Sequence, residues 1–199
     1  MTAPEKQLRL ARLSTAIVLG AWDVVSAARA EAPDGEPDRA WREAVLQTHL
    51  FGGFPRLVEA YGHLADAGGL GEPDADETEG GPVDAARGAA LFDRIYGEGA
   101  DPVRALLAGY SADYAAMIAE HAYARVLSRP GLDAATRELL ASCALAALGQ
   151  ERQLASHARG ALRCGASFEE LVGCLDVVRA LAGDARHERA LRIAERFRR

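Results

Sequence analysis

Apolar positions recur every three to four residues along most of this chain, the spacing that puts one buried face on a helix. Leu8, Leu10, Leu13, Ile17 and Val18 set that rhythm first, and it predicts one or two amphipathic helices over residues 5–32 with Gly20 as the interruption. APDGEPD (32–38) reads as a turn or loop. Asp38 then serves as N-cap for a helix through Leu50. Gly52, Gly53 and Pro55 break it, and a further helix is expected at 56–64. GGLGEPDADETEGGP (68–82) is acidic, rich in Gly and Pro and has almost nothing to bury, which predicts a flexible linker. Beyond it, helices are expected at 83–96, at 101–108, and from Ser111 or Asp113 to Leu127. Arg129, Pro130 and Gly131 form a turn, and Asp133 caps a helix over 134–148. Gly149 breaks or kinks the chain before a helix over 150–164, which Gly165 stops. Ser167 and Glu170 make a capping box for a helix over 168–181, and the last helix starts near Arg186. No segment alternates apolar and polar convincingly, so the expected fold is all-α.

At 199 residues, 49% of them hydrophobic, the chain suffices for one domain or for two small repeats on a shared core. A net charge of -6 argues against a nucleic-acid surface. Lys6 is the only lysine, a composition bias without functional content. Cys143, Cys164 and Cys174 form no C-x-x-C pair, so a disulfide framework is not expected and a reducing cytoplasm fits best. The N-terminus lacks the basic and apolar pattern of a signal peptide, and no apolar run is long enough to span a bilayer. His63, His121 and His187 are scattered without ligand spacing, so no metal site is expected.

The chain also resembles itself. Residues 9–30, RLARLSTAIVLGAWDVVSAARA, are similar to residues 137–160, RELLASCALAALGQERQLASHARG, with Gly20 opposite Gly149. The first copy has Ala28 where the second has His157.

Residues 128–171 combine an RPGLD turn, a T-R-E-L helix start, an ALG break, a helix bearing His157, and a Cys-Gly-Ala-Ser-Phe-Glu-Glu run. This block resembles the carboxymuconolactone decarboxylase family, whose relatives include the alkylhydroperoxidase D type. Tyr96–Asp101 and Tyr110–Tyr114 extend the resemblance upstream. The family's following helix has a poor counterpart after Cys174 and a good one in residues 43–61, EAVLQTHLFGGFPRLVEAY. The resemblance therefore implies two degenerate repeats in one chain: an N-terminal one over 1–67, the linker over 68–82, and a decarboxylase-like one over 83–199. Glu43 and His49 are then expected to share one composite pocket with His157. The family builds rings of such helices, which implies a homo-oligomer, dimer or trimer.

The peroxidase branch carries E-x11-C-x-x-C-x3-H. Counting back from His157, Gln153 and Gln150 occupy the two thiol positions and Glu138 the acidic one. Glutamine neither attacks a peroxide nor resolves a sulfenic acid, so the thiol peroxidase reading loses its nucleophiles. The resemblance then implies the decarboxylase-like branch, a cofactor-free lyase acting on a small carboxylated or lactone metabolite. His157 suits proton transfer, Glu138 or Glu151 would orient or charge it, and His49 is a further catalytic candidate. Arg137 or Arg56 would hold a substrate carboxylate, with Gln150 and Gln153 nearby. Each has a plainer explanation: a satisfied core histidine, a glutamate at a helix start, a solvated charge, a structural arginine. The alternative is a non-catalytic oligomeric or ligand-binding protein of the same fold.

Overall fold

In the computed structural model the described residues are 3–33, 36–78 and 83–198. Two residues of the expected 32–38 loop and the last four of the expected linker, 79–82, lie outside them. Among the described residues every regular element is a helix. None is long and apolar enough to cross a membrane.

Helix α1 (Glu5–Leu19) ends at Gly20, whose φ of 73° is left-handed, and α2 (Trp22–Ala30) follows. Helix α8 (Ala134–Leu148) ends in the same way at Gly149, with φ 72°, before α9 (Glu151–Arg163). A side chain at either glycine would also collide with a guanidinium, that of Arg56 at Gly20 and that of Arg186 at Gly149. The likeness continues further along. Helices α3 (Asp38–Gln47) and α4 (His49–Asp66) are followed in the second half by α10 (Phe168–Ala182) and α11 (Asp184–Ala194). Gly53, at φ 78° and ψ 167°, kinks α4; Gly183, at φ 83° and ψ 167°, separates α10 from α11. Both conformations suit only glycine. The self-similarity of residues 9–30 and 137–160 thus has a backbone counterpart at Gly20 and Gly149.

Helix α8 is buried on nearly every side because α1, α9 and α10 all pack on it. Leu10, Leu13 and Ile17 of α1 meet Leu139, Leu140 and Cys143 of α8 in the main core. Asp133 caps α8 by accepting the Thr136 amide at 2.8 Å. Ser167 and Glu170 close the expected capping box on α10.

A second, smaller core joins α5 (Ala85–Tyr96) to α7, through Phe92, Ile95, Ala122, Tyr123 and Leu127. Helix α6 (Ala100–Tyr110) joins it through Ala100, with Val103 packed against it, and buries little else. Helix α7 starts at Ala112, capped by Ser111, and from Ile118 to Leu127 it widens into a π-helix. Its exit bond, from the Ser128 amide to the Tyr123 carbonyl at 3.2 Å, has the i→i+5 step of that form. Periodicity predicts a helix here but does not distinguish the two widths.

Two expectations need correction. The helix expected through Leu50 ends at Gln47, and Asp38 lies in its first turn with Pro37 at the cap. The linker is not free over its described part. Arg42 holds Glu77 with two bonds, 2.6 and 2.8 Å, and also donates to the Leu70 carbonyl at 2.8 Å. Arg39 pairs with Asp76 at 2.7 Å, and Arg29 donates to the Gly69 carbonyl at 2.7 Å. Leu70 packs its side chain against the main core, and arginines of α2 and α3 give the acidic run a surface to lie on.

Candidate active site

His157 comes from the middle of α9, whose axis lies against α8 and α5. Glu138 comes from the second turn of α8 and is almost wholly buried. The two meet across these helices: His157 Nδ1 donates to Glu138 Oε2 at 2.9 Å. Close approach requires Gly160, because a Cβ there would stand 2.5 Å from that carboxylate oxygen. The other oxygen, Oε1, is buried without a hydrogen-bond partner among the described residues. Such an atom costs free energy and calls for an explanation.

Burial acts to lower the His157 pKa, but the charge of Glu138 and its hydrogen bond outweigh that, and the imidazole is raised above its ordinary value. With Nδ1 committed to Glu138, Nε2 is the nitrogen left for a substrate. His157 lines a cavity of about 700 Å3, within the range of small-molecule sites. Gln150, Gln153 and Ser156 of α9, Tyr96 of α5 and Tyr123 of the π-helix share it. The two tyrosine hydroxyls lie 3.4 Å apart. Burial, with a contribution from the Tyr96 ring and the Glu138 charge, pushes Tyr123 well above its ordinary pKa, so it stays a neutral donor. The first half of the chain contributes Leu50 and Phe51, and the Phe51 ring stands edge-on to His157 with centroids 5.8 Å apart.

The other expected site residues are placed differently. His49 lines a separate cavity, where its Nε2 meets His121 Nε2 at 2.7 Å. Glu43 is buried on Arg129 and Arg137, at 2.9 and 2.8 Å. Arg137 also donates to the Arg129 and Pro130 carbonyls, and it is enclosed, so it is a tie between halves and has no free face for a substrate. Arg56 stacks over Trp22 beside Gly20. Glu151 points toward Arg189 of α11, at 3.8 Å, and does not line the His157 cavity. The expected sharing of one pocket by Glu43, His49 and His157 is therefore not what the structure shows, because the short π-helical wall stands between two cavities.

Sequence reasoning missed Arg152, Tyr96 and Tyr123. Arg152 lines the His157 cavity, is exposed and makes no ion pair among the described residues. It stands one residue before Gln153, so the α9 motif itself pointed to it.

The three thiols are buried. Cys143 donates to the Cys174 carbonyl at 3.3 Å. Burial, then the Glu138 charge, pushes Cys164 up to about 11, which leaves it a thiol near neutrality. No group of three or more metal-binding side chains comes together among the described residues.

A model of the carboxymuconolactone decarboxylase family matches residues 112–196, the stretch from α7 to the end of α11. No curated protein matches the chain.

Proposed function

We propose, from the match of residues 112–196 to the carboxymuconolactone decarboxylase family, that the chain is a cofactor-free lyase acting on a small carboxylated, unsaturated lactone. The observation that carries this is the His157–Glu138 pair on the wall of a cavity of about 700 Å3. The carboxylate of the substrate departs as carbon dioxide, and its electron pair passes into a dienolate on the lactone carbonyl. Protonated His157 delivers its Nε2 proton to the dienolate carbon and regains it from water. Glu138 holds the imidazole in that protonated form through Nδ1. Tyr96 or Tyr123 donates to the oxyanion that develops on the lactone. Arg152 at the cavity wall holds the remaining carboxylate.

Two features support this over a thiol peroxidase: glutamines stand at both thiol positions, and the three cysteines are buried. The open cavity beside His157 supports it over a packing role, since a structural histidine needs no such space.

The test is direct. The purified protein, incubated with 4-carboxymuconolactone, is expected to release carbon dioxide and lose the carboxylated lactone at a His157-dependent rate. His157→Gln should lower kcat by about 10²- to 10⁴-fold, the usual worth of a positioned acid or base. Turnover unchanged by that substitution would remove His157 from the mechanism. No turnover of any carboxylated lactone, with tight binding in the cavity, would favour the ligand-binding alternative.

A further inference from the structure

Beside the His157 site lies a second cavity of about 610 Å3, enclosed by α3, α4, the π-helix and the segment that follows α4. Its hydrogen-bonding feature is a histidine pair. His49 Nδ1 faces the Leu46 carbonyl, which only accepts, so Nδ1 carries the proton. The Nε2 of a neutral His49 is then an acceptor. His121 Nε2, 2.7 Å away, must therefore be the donor. That leaves His121 Nδ1 with a lone pair and no hydrogen-bond partner among the described residues. Burial, with the neighbouring His49 and Arg125 acting in the same direction, lowers the His121 pKa, in keeping with a neutral, accepting ring near pH 7.

The rest of the lining is paired or apolar. Glu43 is matched by Arg129, and Glu77 by Arg42. Leu57, Leu64, Leu70 and Val126 supply aliphatic walls, and Phe54 stacks on His49 with centroids 5.2 Å apart and planes 10° from parallel. Phe54 itself is 66% exposed, and Tyr61 is also partly exposed on the same helix, so aromatic surface at this cavity stands open among the described residues. We infer that this cavity is a second small-molecule site, and that it takes a phenol, whose ring lies among Phe54, Tyr61 and the aliphatic wall and whose hydroxyl donates to His121 Nδ1. The inference stands on the His49–His121 geometry and holds whether or not the His157 site is a lyase.

The test uses p-cresol and toluene, which differ by the hydroxyl alone, on the full chain labelled with ¹⁵N. Long-range ¹H–¹⁵N spectra of the histidine rings are followed through each titration. The expected result is a saturable shift of the His121 ring nitrogens with p-cresol, and binding of toluene at least about tenfold weaker. His121→Phe should weaken p-cresol by a similar factor, and His157→Phe should leave its affinity unchanged. The readout on His121 in the unaltered protein decides the matter even if a variant folds poorly. Equal affinity for toluene, shifts at His157 instead of His121, or no saturable shift would overturn the proposal.

Discussion

At the scale of single residues, one carboxylate governs the site. Glu138 raises the His157 pKa against the pull of burial. A group whose folded pKa is raised adds stability that is fully present below its unfolded value, near 6.5 for histidine. That stability is lost as pH rises through the higher folded value. The same protonation state supplies the acid, so kcat should fall on the alkaline side with an apparent pKa above that of free histidine. Glu138→Gln is expected to move that limb to lower pH and to flatten the stability profile between the two values; a pH–rate series with parallel thermal melts checks both. Glu43 poses a different question. Its carboxylate lies between Arg129 and Arg137, and desolvation, the largest influence on Arg137, lowers its pKa despite that partner. Glu43→Ala leaves two enclosed guanidinium groups without their counter-charge. The expected loss is about 3–5 kcal/mol in urea denaturation, the usual penalty for breaking a buried pair.

Elements tell how this molecule is assembled and which parts of it were legible in the sequence. Helix α5 can lie close to the π-helix because Gly88 has no side chain: a Cβ there would stand 2.7 Å from the Ala124 backbone. Gly88→Ala is therefore expected to cost about 1–3 kcal/mol through forced separation of the two helices, read as a lower midpoint of thermal unfolding. The caps at Asp133 and Ser167 and the breaks at Gly20 and Gly149 were legible because each is a local pattern of two to four residues. The His157–Glu138 pair was legible as well, since its spacing survived around the two glutamines. What escaped has a common physical origin. Arg137 was expected at the substrate, but its neighbours are the Arg129–Pro130 carbonyls and, 94 and 90 residues away in the chain, Glu43 and Gln47. His121 was set aside for lack of a ligand spacing, and its partner His49 lies 72 residues earlier. The π form of Ile118–Leu127 left no periodic trace distinct from an α-helix.

On the scale of the whole molecule, the turns at Gly20 and Gly149, and at Gly53 and Gly183, recur in two stretches of the chain, and Ala28 stands in the first where His157 stands in the second. Between the units, the segment after α4 is strapped to α3 by arginines. The Arg42 hydrogen bonds hold Glu77 down at about 2, well below the ordinary glutamate value. A depressed folded pKa gives stability that is present above the unfolded value, near 4.5, and is lost as pH falls toward the folded one. Acidification from pH 5 to pH 2 should therefore release the strap, and hydrogen exchange at residues 70–77 should rise ahead of exchange in α8. Glu77→Gln should show the faster exchange already at neutral pH. The π-helix carries a consequence of another kind. Ile118, Ala122, Tyr123 and Leu127 line the His157 cavity, while His121, Arg125 and Val126 line the other. One irregular backbone stretch is thus a partition with a cavity on each side. If either ligand prefers a slightly displaced partition, reciprocity requires that each change the other's affinity by the same factor. Measuring p-cresol affinity with and without a carboxylated lactone gives that factor, and a value of one would mean that the partition is rigid and the two chambers are independent.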